Sequence, residues 1–336
     1  MIIVITTIAE PTACVRTLLS KTGETQGLIV VGDKKGPPSY GLPNTRFYSL
    51  EQQKTLDFEL VGKLPENHYS RKNLGYLLAM QLGEDCIYET DDDNRPNAHW
   101  RPREREVEAL RAEKAPWINA YRHFSGENIW PRGFLLEKIT DPDTLPRHNG
   151  RPEVLRAPIQ QGLANVAPDV DAIWRLTKNR AFSFDQAPSL ALPQGSWCPF
   201  NTQSTWWWEE TFPLLYLPSY CSFRMTDIWK SFIAQRCLWE MGHELVFHAP
   251  EVDQDRNVHN LMQDFQAEVP GYLQNGKLTS VLEDTQLLPG AGNVLENLVR
   301  CYENLVAHDI FPQKELELVR AWSADVMKLS LQKVEP

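Results

Sequence analysis

An α/β fold, with a mixed, mainly parallel sheet flanked by helices, is predicted by three observations. Short apolar runs recur, Ile2-Ile3-Val4-Ile5, Leu28-Ile29-Val30-Val31 and Cys86-Ile87-Tyr88, rich in β-branched residues and too brief for helices. Segments between them have helical spacing: over Thr12 to Lys21, Cys14, Val15, Leu18 and Leu19 share one face. The runs end in turn formers or acids, Gly32-Asp33 after the second and Asp91-Asp92-Asp93 after the third, as strands do where ligands bind in open α/β sheets. Residues 1–270 are expected to form this domain and 271–336 a helical extension packed on it.

A chain of 336 residues can bury a substantial core. A net charge of −10 and an isoelectric point near 5.4 exclude a general nucleic-acid or anionic-membrane binder. The six cysteines are widely spaced without a CxxC pair, so reduced thiols are expected rather than a zinc site or disulfide framework. No run of about 18 apolar residues exists to span a membrane. The amino terminus shows no basic leader before Glu10 and Pro11 and reads as the first strand. A soluble, cytoplasmic protein is expected, with homo-oligomerisation open.

Taken in order, the second strand runs into Gly32-Asp33-Lys34-Lys35-Gly36-Pro37, where a carboxylate can bond a nucleoside and a lysine meet phosphate. Leu64 to Met80 passes from turn to helix with Ser70 as the expected cap. Arg71 and Lys72 then fall in the first turn, which the helix dipole disfavours unless an anion is near. The strand that follows ends at Glu89. Asp91, Asp92 and Asp93 repel one another unless a cation sits among them, and alternate side chains such as Asp91 and Asp93 can face one ion. Oxygen donors of this kind favour Mg²⁺ or Mn²⁺ carried on a diphosphate.

Pro96 to Lys114, rich in Arg and Glu, reads as an exposed helix or excursion, and Asp141 to Arg151 as a polar loop. Between them Trp130 to Leu136 re-enters the core, with Arg132 a candidate anion partner. A strand from Pro158 leads to a loop carrying Asp169 and Asp171, which suit a cation, sugar hydroxyls or a turn cap. Asn201, Gln203 and Trp206-Trp207-Trp208 combine the hydrogen-bonding and aromatic groups that bind sugar rings, although at least one of the three Trp is expected in the core or a domain contact. Thr226 is the expected cap of a helix through Met241, with Asp227 in its first turn placed as a base or hydroxyl ligand. Leu245 to His248 is a last strand, and His248 or His259 can complete a metal sphere or meet phosphate. Helices near Asn293 to His308 and Gln313 to Leu331 close the chain.

The succession VVGDKKGP, LPENHYSRKNLGYLLAMQ, IYETDDDN, WPRGF, PIQQGLANVAPDVDAIWRLT, CPFNTQSTWWW, MTDIWKSFIAQR and DQDRNVHN resembles the STELLO family of glycosyltransferases over roughly residues 2 to 265. More distantly, the acidic triplet and carboxy-terminal helices resemble the reversibly glycosylated polypeptides, which include UDP-arabinopyranose mutases. The resemblance implies a GT-A nucleotide-diphospho-sugar transferase fold in which a DxD-type motif holds the sugar nucleotide's metal. Asp91 and Asp93 match that motif with Asp92 between them, Asp33 matches the position that meets the base, and Arg71 and Lys72 match the RKN block. Plant members carry an amino-terminal membrane anchor and a further large domain, and neither is expected here.

Motifs and resemblance together lead us to expect a metal-dependent glycosyltransferase. Asp91, Asp93 and His259 would hold Mn²⁺ or Mg²⁺. Asp33, Arg71, Lys72, Asp92 and Arg132 would bind a nucleoside diphosphate sugar, with UDP the expected nucleotide. Asp227 or Asp171 would orient or deprotonate a carbohydrate acceptor, with Asn201, Gln203, Trp207 and Trp208 supporting its ring. Two other outcomes are a pyranose/furanose mutase, which needs no acceptor, and an inert binding or assembly module of the same fold.

Overall fold

The structure, a computed structural model, describes residues 1–22, 27–256 and 260–332. The predicted apolar runs are strands: β1 (Ile2–Thr7) and β2 (Gly27–Gly32) pair in parallel, β3 (Thr45–Tyr48) lies parallel beside β2, and β4 (Cys86–Thr90) parallel beside β1. Helices α1 (Ala13–Thr22), α2 (Leu50–Gln53) and α3 (Lys72–Gln81) lie in the connections. The order β3-β2-β1-β4 changes winding direction beside β1, which is where open α/β sheets leave a crevice at the carboxyl ends of their strands.

The sheet continues through β5 (Asn94–Pro96), β6 (Glu106–Ala112), β7 (His148–Arg156), β8 (Ile159–Asn165), β9 (Leu190–Leu192), β10 (Ser204–Trp208) and β11 (Leu245–Gln254) to 11 strands in all. β10 runs antiparallel between β4 and β8, making the sheet mixed as predicted. Helices α4 (Ala172–Lys178), α5 (Thr226–Glu240), α6 (Leu261–Asp284), α7 (Val294–Ala307) and α8 (Gln313–Gln332) complete a mixed α/β architecture around this sheet. The last two match the predicted carboxy-terminal helices. Among the described residues no helix is long and apolar enough to cross a membrane, and all six cysteines are free.

Local readings differ in four places. The Arg/Glu-rich run contains strand β6, which buries Ala109 in one apolar cluster and Leu110 and Ala112 in another; the exposed Glu106, Glu108 and Arg111 between and beside them masked the strand. β7 begins within the expected polar loop and pairs antiparallel with β6. Ser70 lies within a 3-10 turn, Tyr69–Arg71, that is capped by His68 and leads into α3, whose cap position is Arg71; Thr226 is the first residue of α5 rather than its cap.

Buried polar contacts seat the closing helix. Glu315 accepts from the Ser219 and Tyr220 amides and from Tyr216 Oη, while Trp322 Nε1 donates to Pro213 O at 2.9 Å. On the sheet side, α3 approaches β1 and β2 so closely at Gly75 that a Cβ there would lie 2.6 Å from Val4 Cγ1 and 2.9 Å from Val31 Cγ2. Gly75→Ala is therefore expected to destabilise the fold by about 1–3 kcal/mol through overpacking, outweighing the better helix propensity of alanine. A fall in the urea midpoint at unchanged slope is the readout.

Candidate active site

The carboxyl ends of β1, β2 and β4 open into a cleft of about 500 Å³. Thr7 follows from β1, Asp33 and Lys35 from β2, and Asp91, Asp92 and Asp93 from β4; Tyr69, Thr202, Phe223, Asp227 and Gln254 close its sides. Thr7 Oγ1 donates to Asp92 Oδ2 across the point where the sheet reverses its winding, tying the acidic loop to β1.

Asp91 receives Lys72 Nζ at 3.0 Å and Tyr69 Oη at 2.9 Å, both on Oδ1. Its Oδ2 has no protein partner among the described residues. Asp93 accepts from Gln254 Nε2 at 3.0 Å through Oδ2, while its Oδ1 is buried without a partner among the described residues. Burial, then the neighbouring Asp91 and Asp92 charges, push Asp93 up to about 7, and burial raises Asp92 as well. Five carboxylates line the cleft against three cations, Lys35, Arg132 and Arg224. Arg224 is paired with Glu268 and Arg132 with Asp169 and Asp227. An anionic ligand thus meets a negative floor.

Helix and strand periodicity explains what lies beneath. Residues four apart on a helix rise about 6 Å, and residues two apart on a strand about 6.6 Å, each pair on one face. Lys72 and Tyr76 of α3 therefore meet Asp91, the residue after β4, and Glu89 within β4 respectively: Lys72 Nζ also donates to Thr90 O at 2.6 Å, and Tyr76 Oη donates to Glu89 Oε1. Lys230, one turn after Asp227 on α5, donates to both oxygens of Glu89 at 2.6 and 2.9 Å, and Trp207 Nε1 donates to Glu89 Oε2 at 2.7 Å. Burial lowers the Lys230 pKa against the pull of Glu89. This buried pair anchors the start of α5 to the strand that carries the acids.

On the far wall Arg132 is clamped by two carboxylates. Its Nε and Nη2 donate to Asp169 at 2.8 Å each, and Nη1 and Nη2 donate to Asp227 at 3.0 and 2.7 Å. Nη1 also donates to Arg224 O. Burial alone would raise Asp169, but the Arg132 guanidinium holds it below the usual carboxylate range. Every guanidinium nitrogen is thus engaged, so Arg132, expected to bind a phosphate, instead fixes Asp227 at the cleft wall.

Other expected site residues lie elsewhere. Arg71 is buried, its Nε on Gln53 Oε1 at 2.7 Å and its Nη1 on the Leu64 and Pro65 carbonyls, so the protein's own acceptors stand where an anion was expected. Asp171 is fully buried as the cap of α4, accepting from Trp174 N at 2.8 Å and Trp130 Nε1 at 2.7 Å. Burial lifts it to about 6. Asn201 closes a turn by accepting from Gln203 N, and neither side chain lines the cleft, although Thr202 between them does. Trp207 and Trp208 are core residues on opposite faces of β10, a strand covered on both sides, and offer no open ring face to a sugar. His248 is engaged at both nitrogens, with Ser189 Oγ at 2.7 Å and Gln160 Oε1 at 2.8 Å. His259 lies outside the described residues.

Sequence reasoning missed Thr7, Tyr69, Phe223 and Gln254. Phe223 carries the clearest signal: it is a large aromatic, 60% exposed at the cleft mouth, edge-on to Tyr69 at 6.0 Å.

Among the described residues no group of three or more His, Cys, Asp and Glu is gathered as a self-sufficient metal site. Mg²⁺ in particular takes one or two carboxylates and completes its shell with phosphate oxygens and water. Asp91 Oδ2 and the orphaned Asp93 Oδ1 fit such a partial site.

Residues 224–335, from the cleft wall through α8, match the family model for STELLO glycosyltransferases. The chain is 30% identical over 273 residues to the probable glycosyltransferase STELLO1 of Arabidopsis thaliana, covering 74% of this chain and 34% of that protein. It is also 30% identical over 250 residues to the probable glycosyltransferase STELLO2 of the same plant, covering 67% and 32% respectively. The chain spans about a third of the length of these curated relatives. By these matches the chain is a member of the STELLO glycosyltransferase family.

Proposed function

We propose that the cleft binds a nucleoside diphosphate sugar through a divalent ion, Mn²⁺ or Mg²⁺, on Asp91 and Asp93, and transfers the sugar to a hydroxyl of a carbohydrate acceptor. The observation that carries this reading is the negative floor at the carboxyl ends of β1, β2 and β4, with Asp93 Oδ1 buried and without a partner among the described residues. A diphosphate cannot approach that floor without a cation. An ion held there would neutralise charge on the departing diphosphate.

The chain's own groups account for the remaining work. Lys72 and Tyr69 hold Asp91 in place from below. Asp33 accepts from the Lys34, Asn67 and His68 amides, at 2.7, 2.8 and 2.8 Å, and so shapes the nucleoside end rather than waiting free for a ribose. Asp227, with both oxygens engaged by Arg132, is placed to accept a hydrogen bond from a hydroxyl and orient it. Phe223 supplies the exposed ring face that Trp207 and Trp208 do not.

The test is a thermal-shift and calorimetric panel of UDP, other nucleoside diphosphates and their sugars, each with and without Mn²⁺. Binding to the native state raises the melting temperature, and the expected result is a metal-dependent rise. A flat response across the panel would reject the reading. Phe223→Ala should weaken UDP-sugar binding relative to UDP by about 1 kcal/mol, the order of one aromatic contact, leaving UDP itself unaffected; equal losses for both ligands would place the ring away from the sugar.

A further inference from the structure

His68 lies at the nucleoside end of the cleft, and its ring is held in one tautomer by its neighbours. Its Nδ1 accepts from Ser70 N at 3.1 Å, as the cap of the 3-10 turn Tyr69–Arg71, and lies 2.8 Å from Ser70 Oγ. Ser70 Oγ itself accepts from Ser219 Oγ at 2.7 Å, which turns its own proton toward Nδ1. With two donors directed at it, Nδ1 carries no proton, and the proton of the neutral ring sits on Nε2. The backbone is equally constrained, since the amides of Asn67 and His68 each donate to Asp33 at 2.8 Å. Burial lowers the imidazolium pKa, against the attraction of Asp33. His68 lines the cleft, and Nε2 has no protein partner among the described residues.

We propose that His68 is a nucleotide-binding residue that acts as a fixed, neutral donor, its Nε2–H bonding an acceptor oxygen of the nucleotide, either a base carbonyl or a diphosphate oxygen. This rests on the nucleoside diphosphate sugar reading of the cleft. The same imidazole thus builds the turn with one nitrogen and meets ligand with the other. Asp33, Ser70 and Ser219 are its positioning residues.

His68→Asn separates the two roles, because asparagine is a favoured cap whose Oδ1 can still accept from Ser70 N, while the Nε2 donor is lost. The variant should melt with wild type in the absence of ligand and bind UDP with Mn²⁺ about ten-fold more weakly, as expected for one lost hydrogen bond to a polar or charged acceptor. Competition with uridine and with Mn²⁺-pyrophosphate then identifies the acceptor. A loss confined to uridine assigns the base carbonyl, and a loss confined to pyrophosphate assigns the diphosphate. Equal affinity of variant and wild type for all three probes overturns the proposal alone. Failure of the wild type to bind any of them overturns the nucleotide reading and this proposal with it. Independently of ligand, ¹⁵N NMR of the His68 ring should show a bare Nδ1 and a protonated Nε2; the opposite tautomer overturns the assignment.

Discussion

Asp93→Asn will abolish the metal-dependent part of nucleotide-sugar binding, weakening the affinity for UDP-sugar with Mn²⁺ by at least about 100-fold, the upper range seen when only an outer-shell partner of a metal ligand is removed. The metal-free protein should melt at the wild-type temperature or above it. Both expectations follow from the same geometry. Asp93 Oδ2 is held by Gln254, a bond that an asparagine carbonyl can also accept, whereas Oδ1 is buried with no partner among the described residues and beside two like charges. An oxygen that accepts nothing among the described residues yet belongs to a side chain on the cleft floor is the signature of a ligand-dependent role. Calorimetry with and without Mn²⁺, alongside thermal unfolding of the free protein, separates the two effects. Wild-type affinity in the variant would sink the metal site, and a large loss of thermal stability would show that Asp93 is structural.

The parts of this site that were legible in the sequence are those that a single segment specifies. Asp91, Asp92 and Asp93 follow an apolar run too short for a helix, so their place at a strand end could be read locally, and Asp33 likewise after β2. What depends on two segments meeting was not legible. Arg132, Asp169 and Asp227 come from three stretches, and no pattern within any one shows that the guanidinium will be consumed by carboxylates. Lys72 lies in the first turn of a helix, as the local pattern predicts, but its anion is Asp91 of the same chain. The Trp206-Trp207-Trp208 composition serves equally for a sugar platform and for a central strand covered on both faces, and only the insertion of β10 between β4 and β8 decides for the core. His68 has no local signature, since a lone histidine close to a serine is ordinary until the Ser70–Ser219 contact orients its ring.

The largest stability effect is expected at Arg132, away from the acids that name the site. Arg132, Asp169 and Asp227 are 5%, 6% and 7% exposed, so Arg132→Met leaves two carboxylates buried without their counter-ion and strips Arg224 O of a donor. Breaking a buried pair from one side costs about 3–5 kcal/mol, and two partners place this change at the upper end. Arg132→Lys should fall between, since an ammonium keeps the charge but not the fork that reaches four carboxylate oxygens. The pH dependence distinguishes electrostatics from mere loss of packing. In the wild type Asp169 is held below its ordinary pKa, so its contribution is present at neutral pH and is lost only as pH falls through that depressed value. In Arg132→Met burial is opposed only by the weaker pull of Arg224 and Arg175, and it raises the folded-state pKa of Asp169 above the unfolded one. The native state then binds more protons than the unfolded chain between the two values, so the variant should gain stability as pH is lowered from about 7 toward 5. Denaturant midpoints at a series of pH values read this directly. A deficit that stays constant across that range would mean that the side chain's volume, and not its charge, holds Asp227 at the cleft.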